Sequence, residues 1–172
     1  TISSNLTSIG NGAFAGCRSL TNITVDSQNT NYLSDDGILY NHSKENLYCY
    51  PAGKTQTSFT IPSTVASIMG GAFDGCDSLT SITIPPTVTS IGSAAFSFCD
   101  ILKSITIPSS VTSIEYRAFY RCGQLTSVTF NVTNGWKAGE TELLSDNLAD
   151  AATAAIYLTD TYINKNWTRT TN

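Results

Sequence analysis

Charge is scarce in this chain, histidine scarcer, and long apolar runs are missing. Charged residues make up 13% of the sequence, about half the usual share for a soluble domain. Lys and Arg number 9 against 13 Asp and Glu, a net charge of −4, and no basic run occurs. Nucleic-acid binding needs a patch that neutralises phosphates, so that class is excluded. The single histidine, His42, lies in a loop and leaves the many serines without a base to activate them. There is no metal-spaced cluster, no glycine-rich phosphate loop and no nucleophile elbow. Neither catalysis, nor a metal, nor any other cofactor is expected. No apolar run approaches the roughly 20 residues of a membrane span. No signal peptide is present, and the abrupt opening at Thr1-Ile2 suggests that a leader was removed or lies outside this stretch. Thr, Ser and Asn fill the place of charge, giving the hydroxyl-coated surface common in secreted proteins.

What is present is repetition. Three 23-residue units align without gaps: "IPSTVASIMGGAFDGCDSLTSIT" from Ile61, "IPPTVTSIGSAAFSFCDILKSIT" from Ile84 and "IPSSVTSIEYRAFYRCGQLTSVT" from Ile107. An earlier copy, "ISSNLTSIGNGAFAGCRSLTNIT" from Ile2, fits the same frame. The recurring slots are apolar: Val65, Ile68, Phe73, Cys76, Leu79, Ile82 and Ile84 in the first full unit. A unit this small cannot bury its apolar side alone, so units must stack into a solenoid. Leu79-x-x-Ile82-x-Ile84 reads as the strand, with Ile82 and Ile84 inward and Ser81 and Thr83 outward. Pro85 or Pro108 then ends it, for want of a ladder donor. Successive strands are predicted to form one short-stranded parallel sheet. A return arc carries Val88, Ile91, Phe96 and Cys99 inward through turns or a brief helical turn around Ala95–Phe98.

The motif resembles the BspA-like leucine-rich repeat family, the bacterial (treponemal) type with a 23-residue unit, position by position over 1–25 and 59–130. The resemblance implies a right-handed α/β repeat solenoid, secreted or at the cell surface. It further implies adhesion and protein–protein contact, typically in host-associated bacteria.

Cys17, Cys76, Cys99 and Cys122 share a slot flanked by Phe and Leu. Free Cys there acts as a small hydrophobe. A disulfide ladder would leave a third Cys unpaired, and zinc would want C-x-x-C spacing. Buried free thiols are expected.

Val25 and Ile61 fill one slot yet lie 36 residues apart, so residues 26–58 interrupt the period. Within them "GILY" (37–40) and "NLYCY" (46–50) flank "NHSKE", a hairpin pattern. The hairpin is expected either as a degenerate repeat on the solenoid edge or as a recognition element carrying Tyr32, Tyr40, Tyr48 and Tyr50. Similar elements interrupt arrays of the resembled family. Asp35-Asp36-Gly37 reads as a turn, having too few oxygen ligands for Ca²⁺. Asp77 and Asp100 share a repeat slot and are expected as a solvated pair, with a bound cation as the alternative.

Residues 131–172 leave the pattern and are read as a C-terminal cap to the array of 1–130. Asp150 is the expected helix N-cap, with Ala152, Ile156 and Ile163 along one face, and Trp136 and Trp167 are the candidate plugs. The first copy starts at its strand with no cap, so further sequence is expected before residue 1. Sequons at Asn5, Asn22, Asn41, Asn131 and Asn166 arise easily in so Asn- and Thr-rich a chain and carry little weight.

The outward strand positions are small: Asn22, Thr24, Ser81, Thr83, Ser104, Thr106, Ser127 and Thr129. They lack the aromatic and Arg anchors that dominate affinity, which points to weak multivalent contact or to spacing. The candidate partner is a protein or glycan, host extracellular matrix included. The candidate contacts are the four insert tyrosines and, on the sheet, Thr83, Thr106 and Thr129.

Overall fold

The computed structural model describes residues 1–171. Residues 26–58 contribute β1 (Tyr32–Asp35), β2 (Ile38–Asn41) and β3 (Asn46–Cys49). Two kinds of strand then alternate: β4 (Ser58–Thr60), β5 (Ser67–Ile68), β6 (Ser81–Thr83), β7 (Ser90–Ile91), β8 (Ser104–Ile107), β9 (Ser113–Ile114) and β10 (Ser127–Phe130). The C-terminal segment holds β11 (Trp136–Ala138), β12 (Thr141–Glu142), α1 (Ser145–Ala149), α2 (Ala151–Ile156), a π-helical turn (Tyr157–Thr161) and β13 (Trp167–Arg169).

One sheet was expected from the pattern, and the structure holds two. The first runs β4-β6-β8-β10, all parallel, with Ser58, Ser81, Ser104 and Ser127 in register. Its inward residues Ile82, Ile105 and Val128 are buried, and Thr83, Thr106 and Thr129 point to solvent. The second sheet lies on the arc and stacks β5, β7 and β9 in parallel through Ser67-Ile68, Ser90-Ile91 and Ser113-Ile114. Two-residue strands are too short for alternation to announce them. Their pairing comes from stacking a neighbouring unit on each.

A third ladder has no strands. In the first two full units the N–H groups of alternate turn residues donate to carbonyls of the next unit: Gly71 to Ser93, Phe73 to Ala95 and Gly75 to Ser97. Ala94 to Tyr116, Phe96 to Ala118 and Phe98 to Tyr120 repeat the set, at 2.7–3.0 Å. The turn uses left-handed backbone at two positions four residues apart. Gly12 and Gly16, and Gly71 and Gly75, fill them in the first two units, with φ of 68–73°. Ala94, Phe98, Arg117 and Arg121 fill them in the last two, with φ of 54–56°. An L-residue held there costs about 1–2 kcal/mol that glycine avoids. No helical turn forms around Ala95–Phe98, because these left-handed residues break it.

The core is a column of rings. Phe73 and Phe96 stack at 5.1 Å, and Phe96 and Phe119 at 5.2 Å, with interplanar angles of 13° and 12°. Tyr50 extends the column, 5.5 Å from Phe73. Stacked rings contribute about 0.5–1.5 kcal/mol per pair beyond the area they bury.

The hairpin segment is a coil of the solenoid, not an attachment to its edge. β3 pairs antiparallel with β2 and parallel with β5, so it leads directly into the second sheet. Asp36 and Gly37, with φ of 47° and 75°, form the two-residue turn between β1 and β2. A Cβ at Gly37 would run into the Asn22 side chain, so glycine is also required by close approach to the first unit.

At the other end, β13 pairs antiparallel with β9 and with β11. Trp136 and Trp167 are each 2% exposed and lie against Phe130, Trp167 in parallel stacking at 6.0 Å. Asp150 caps α2 by accepting from the Thr153 amide at 2.8 Å. The face turned inward is a different one from that of Ala152, Ile156 and Ile163. Ala154, Ala155 and Leu158 are buried, whereas Ile156 is 54% exposed, Ala152 is exposed and Ile163 is half-buried. Close approach of α2 to β10 selects the small alanines and turns the branched residue outward.

Candidate functional site

The insert tyrosines do not form an exposed aromatic cluster. Tyr32, Tyr40 and Tyr50 are 6%, 1% and 2% exposed. Tyr32 accepts the Ile9 amide on its hydroxyl at 2.8 Å and so ties the insert to the first unit. Tyr50 sits 23 residues before Phe73 and occupies the same slot, its amide donating to the Ala72 carbonyl at 2.8 Å. Burial pushes the Tyr50 phenol up to about 12 and raises the Tyr40 phenol further. These three rings are therefore core, and as docking anchors they are withdrawn: an aromatic residue inside a coil is consumed by stacking. Tyr48 alone is half-buried, set edge-on to Tyr32 at 5.3 Å. The spacing of Tyr50 from Phe73 was the signal that could have revealed its place. Asp35, at the end of β1, and Asp36, in the turn, are the partners of Lys44 and Lys54, at 2.8 and 3.1 Å.

Thr83, Thr106 and Thr129 do line one face in register, flanked by the serines of the same sheet. That face offers hydroxyls and no ring or guanidinium. Asp77 and Asp100 do not act as a pair. Asp77 bonds Arg18 instead, at 2.5 Å, and Asp100 is exposed. Among the described residues no three His, Cys, Asp or Glu side chains converge as metal ligands would.

All five cysteines are free. Cys76, Cys99 and Cys122 are buried, and each thiol points at the backbone carbonyl 26 residues earlier: Tyr50, Phe73 and Phe96 at 3.8, 3.2 and 3.0 Å. Burial pushes the Cys122 thiol up to about 12 and raises Cys76 and Cys99 well above the ordinary range. Such thiols are neither nucleophiles nor ligands at neutral pH. Cys17 departs from its expected place and is exposed. The first unit has described neighbours on one side only, and its Ile9, Phe14 and Leu20 are likewise only half-buried.

The rings and guanidiniums that the sheet lacks are gathered on the left-handed turns. Arg117 lies 4.9 Å from the centroids of both Tyr116 and Tyr120. Arg121 lies 5.8 Å from Phe98 and 5.9 Å from Tyr120, whose own rings meet edge-on at 5.5 Å. Arg18 also lies over Phe98, at 5.7 Å. Three of the chain's four arginines thus share one ridge with three rings. Sequence reading missed it, because these are the variable slots of the repeat. Beside Tyr116 a groove of about 510 Å³ runs between Ser93, Glu115 and Asn166.

A family model of the BspA type leucine-rich repeat region matches residues 1–49 and 44–137, in 6 copies. The chain belongs to this family. A leucine-rich repeat protein from Eubacterium ventriosum has a similar structure, with 39% identity and a TM-score of 0.73 over 75% of this chain and 35% of that one. A leucine rich cell surface protein from Faecalibacterium prausnitzii matches at 30% identity and a TM-score of 0.58, over 74% of this chain and 40% of that one. The pneumococcal vaccine antigen PcpA shares the fold at 19% identity and a TM-score of 0.63, over 78% of this chain and 39% of its own. The chain thus spans two-fifths or less of these proteins' lengths. No curated protein matches it. The BspA-type leucine-rich repeat is a protein-interaction repeat of bacterial proteins, and no helix among the described residues is long and apolar enough to cross a membrane.

Proposed function

We propose that this BspA-type array is a non-catalytic binding module of a secreted or surface-anchored bacterial protein, used for adhesion to host or neighbouring cells. The supporting observation is that the stacked units hold a periodic, solvent-facing surface on a column of buried rings. Such a surface engages through many equivalent weak contacts, whose effect multiplies when several are made together. The Faecalibacterium prausnitzii relative, described as a cell surface protein, supports the location.

A spacer that displays another domain is the second reading. It is favoured by the sheet face, where only Ser and Thr side chains are offered. The two readings separate on one experiment. The chain is coupled to beads at high density and exposed to epithelial cells and to purified extracellular-matrix proteins. Saturable attachment that falls with Thr83→Lys and Thr106→Lys, or with Tyr48→Ser, supports adhesion and locates it. Beads that attach no better than uncoupled ones leave the array as a spacer.

A further inference from the structure

We infer that the ridge of Phe98, Tyr116, Arg117, Tyr120 and Arg121 is a docking surface for an acidic segment of a partner protein. The inference rests on the binding-module reading and gives it a site and a partner chemistry.

Three observations carry it. The first is charge. The ion pairs among the described residues involve Arg18, Lys44, Lys54 and Lys137, so neither Arg117 nor Arg121 has a carboxylate within 4.0 Å. Arg18, at the far end, is already neutralised by Asp77. Arg117 Nε donates to Asn164 at 2.8 Å, which steadies the side chain but leaves its charge unmatched.

The second is geometry. Arg117 sits over Tyr116 and Tyr120, and Arg121 over Phe98 and the same Tyr120. Stacking uses the faces of a guanidinium and leaves its N–H edge for a carboxylate fork. Tyr116, 42% exposed, adds flat apolar area beside the charge. The charged groups are donors only, so they select an acceptor-only ligand. Arg and Tyr together are the residues that most often anchor protein partners.

The third is strain. Phe98, Arg117 and Arg121 all occupy left-handed positions that glycine fills at Gly12, Gly16, Gly71 and Gly75. As a turn alone, the ridge would be better served by glycine. Strained backbone gathers at functional sites, and three of the four strained residues here, Ala94 being the fourth, present a ring or a guanidinium.

The test uses the chain as it stands and a labelled 12-residue peptide of alternating Glu and Phe. Controls are the same peptide with Gln for Glu, and heparin as a sulfated glycan. The key variant is Arg117→Gly with Arg121→Gly, which restores the residue of the earlier units and should unfold at the same or a higher temperature. Binding of the Glu peptide, weakened at least tenfold by the double variant and by the Gln control, is the expected result. Arg18→Gln, a neutralised position, should change it less than twofold. No binding by the native chain, equal binding of the Gln peptide, or unchanged binding by the folded variant would overturn the inference. Heparin binding without peptide binding would overturn the assignment to a protein partner. Cell attachment that survives in the double variant would remove the ridge while leaving the adhesion reading intact.

Discussion

The Cys99 thiol lies 3.2 Å from the Phe73 carbonyl oxygen, one coil away, and the same contact recurs from Cys122 to Phe96 at 3.0 Å. Each thiol fills a small apolar slot and donates weakly to the neighbouring coil's backbone. A methyl group would fill the slot without the donor, and a larger side chain would overfill it. Ala-Phe-x-x-Cys thus supplies packing and a shared contact between coils.

Native thiol labelling at neutral pH should modify Cys17 alone. Cys49, Cys76, Cys99 and Cys122 should react only in denaturant, because burial raises each of them. A native mass showing two or more labels would contradict their burial.

The same burial predicts a pH dependence. Folded-state thiol pKa values lie above the ordinary 9.0, so ionisation favours the unfolded chain. Stability from this source is complete below about pH 9 and falls as the pH rises toward about 12. Urea midpoints should decline across that window. Replacing Cys99 and Cys122 with Ala should make the decline shallower.

Phe96 has a stacked ring on each side, so Phe96→Ala leaves a cavity that neighbours cannot close. The expected loss is about 3–5 kcal/mol by chemical denaturation. Thr106→Ala on the outward face should cost well under about 1 kcal/mol. The opposite ranking would invert the two faces of the strand.

Tyr50 tests whether the insert is a true coil. Its ring stacks on Phe73 while its hydroxyl makes one 3.3 Å bond to Gln56. Tyr50→Phe should change stability by about 1 kcal/mol or less, since only that bond is lost. Tyr50→Ala should cost about 3–5 kcal/mol, as at Phe96. A tolerated Tyr50→Ala would put the ring outside the column.

The left-handed turns offer a comparison within one chain. Ala94→Gly should raise stability or leave it unchanged, by relieving a φ of 54°. Gly75→Ala should lower it by about 1–2 kcal/mol. Thermal unfolding of both variants checks the pair, and a loss on Ala94→Gly would show that the turn carries no strain.

The sequence by itself determined the 23-residue unit, which side chains of Leu79-x-x-Ile82-x-Ile84 face inward, the Asp-Gly turn and the Asp150 cap. Each follows from local pattern or from a residue type with one conformational role. Tertiary structure decided the rest. The Ser-Ile strands exist only because a coil stacks on each, and Tyr50 became core because Phe73 lies above it. Ala154 and Ala155 face inward because β10 comes close. The ridge of Arg117 and Arg121 was invisible for the same reason. Its residues fall in the slots where the repeat varies, and only the stacking of successive turns sets Arg121 of one coil against Phe98 of another.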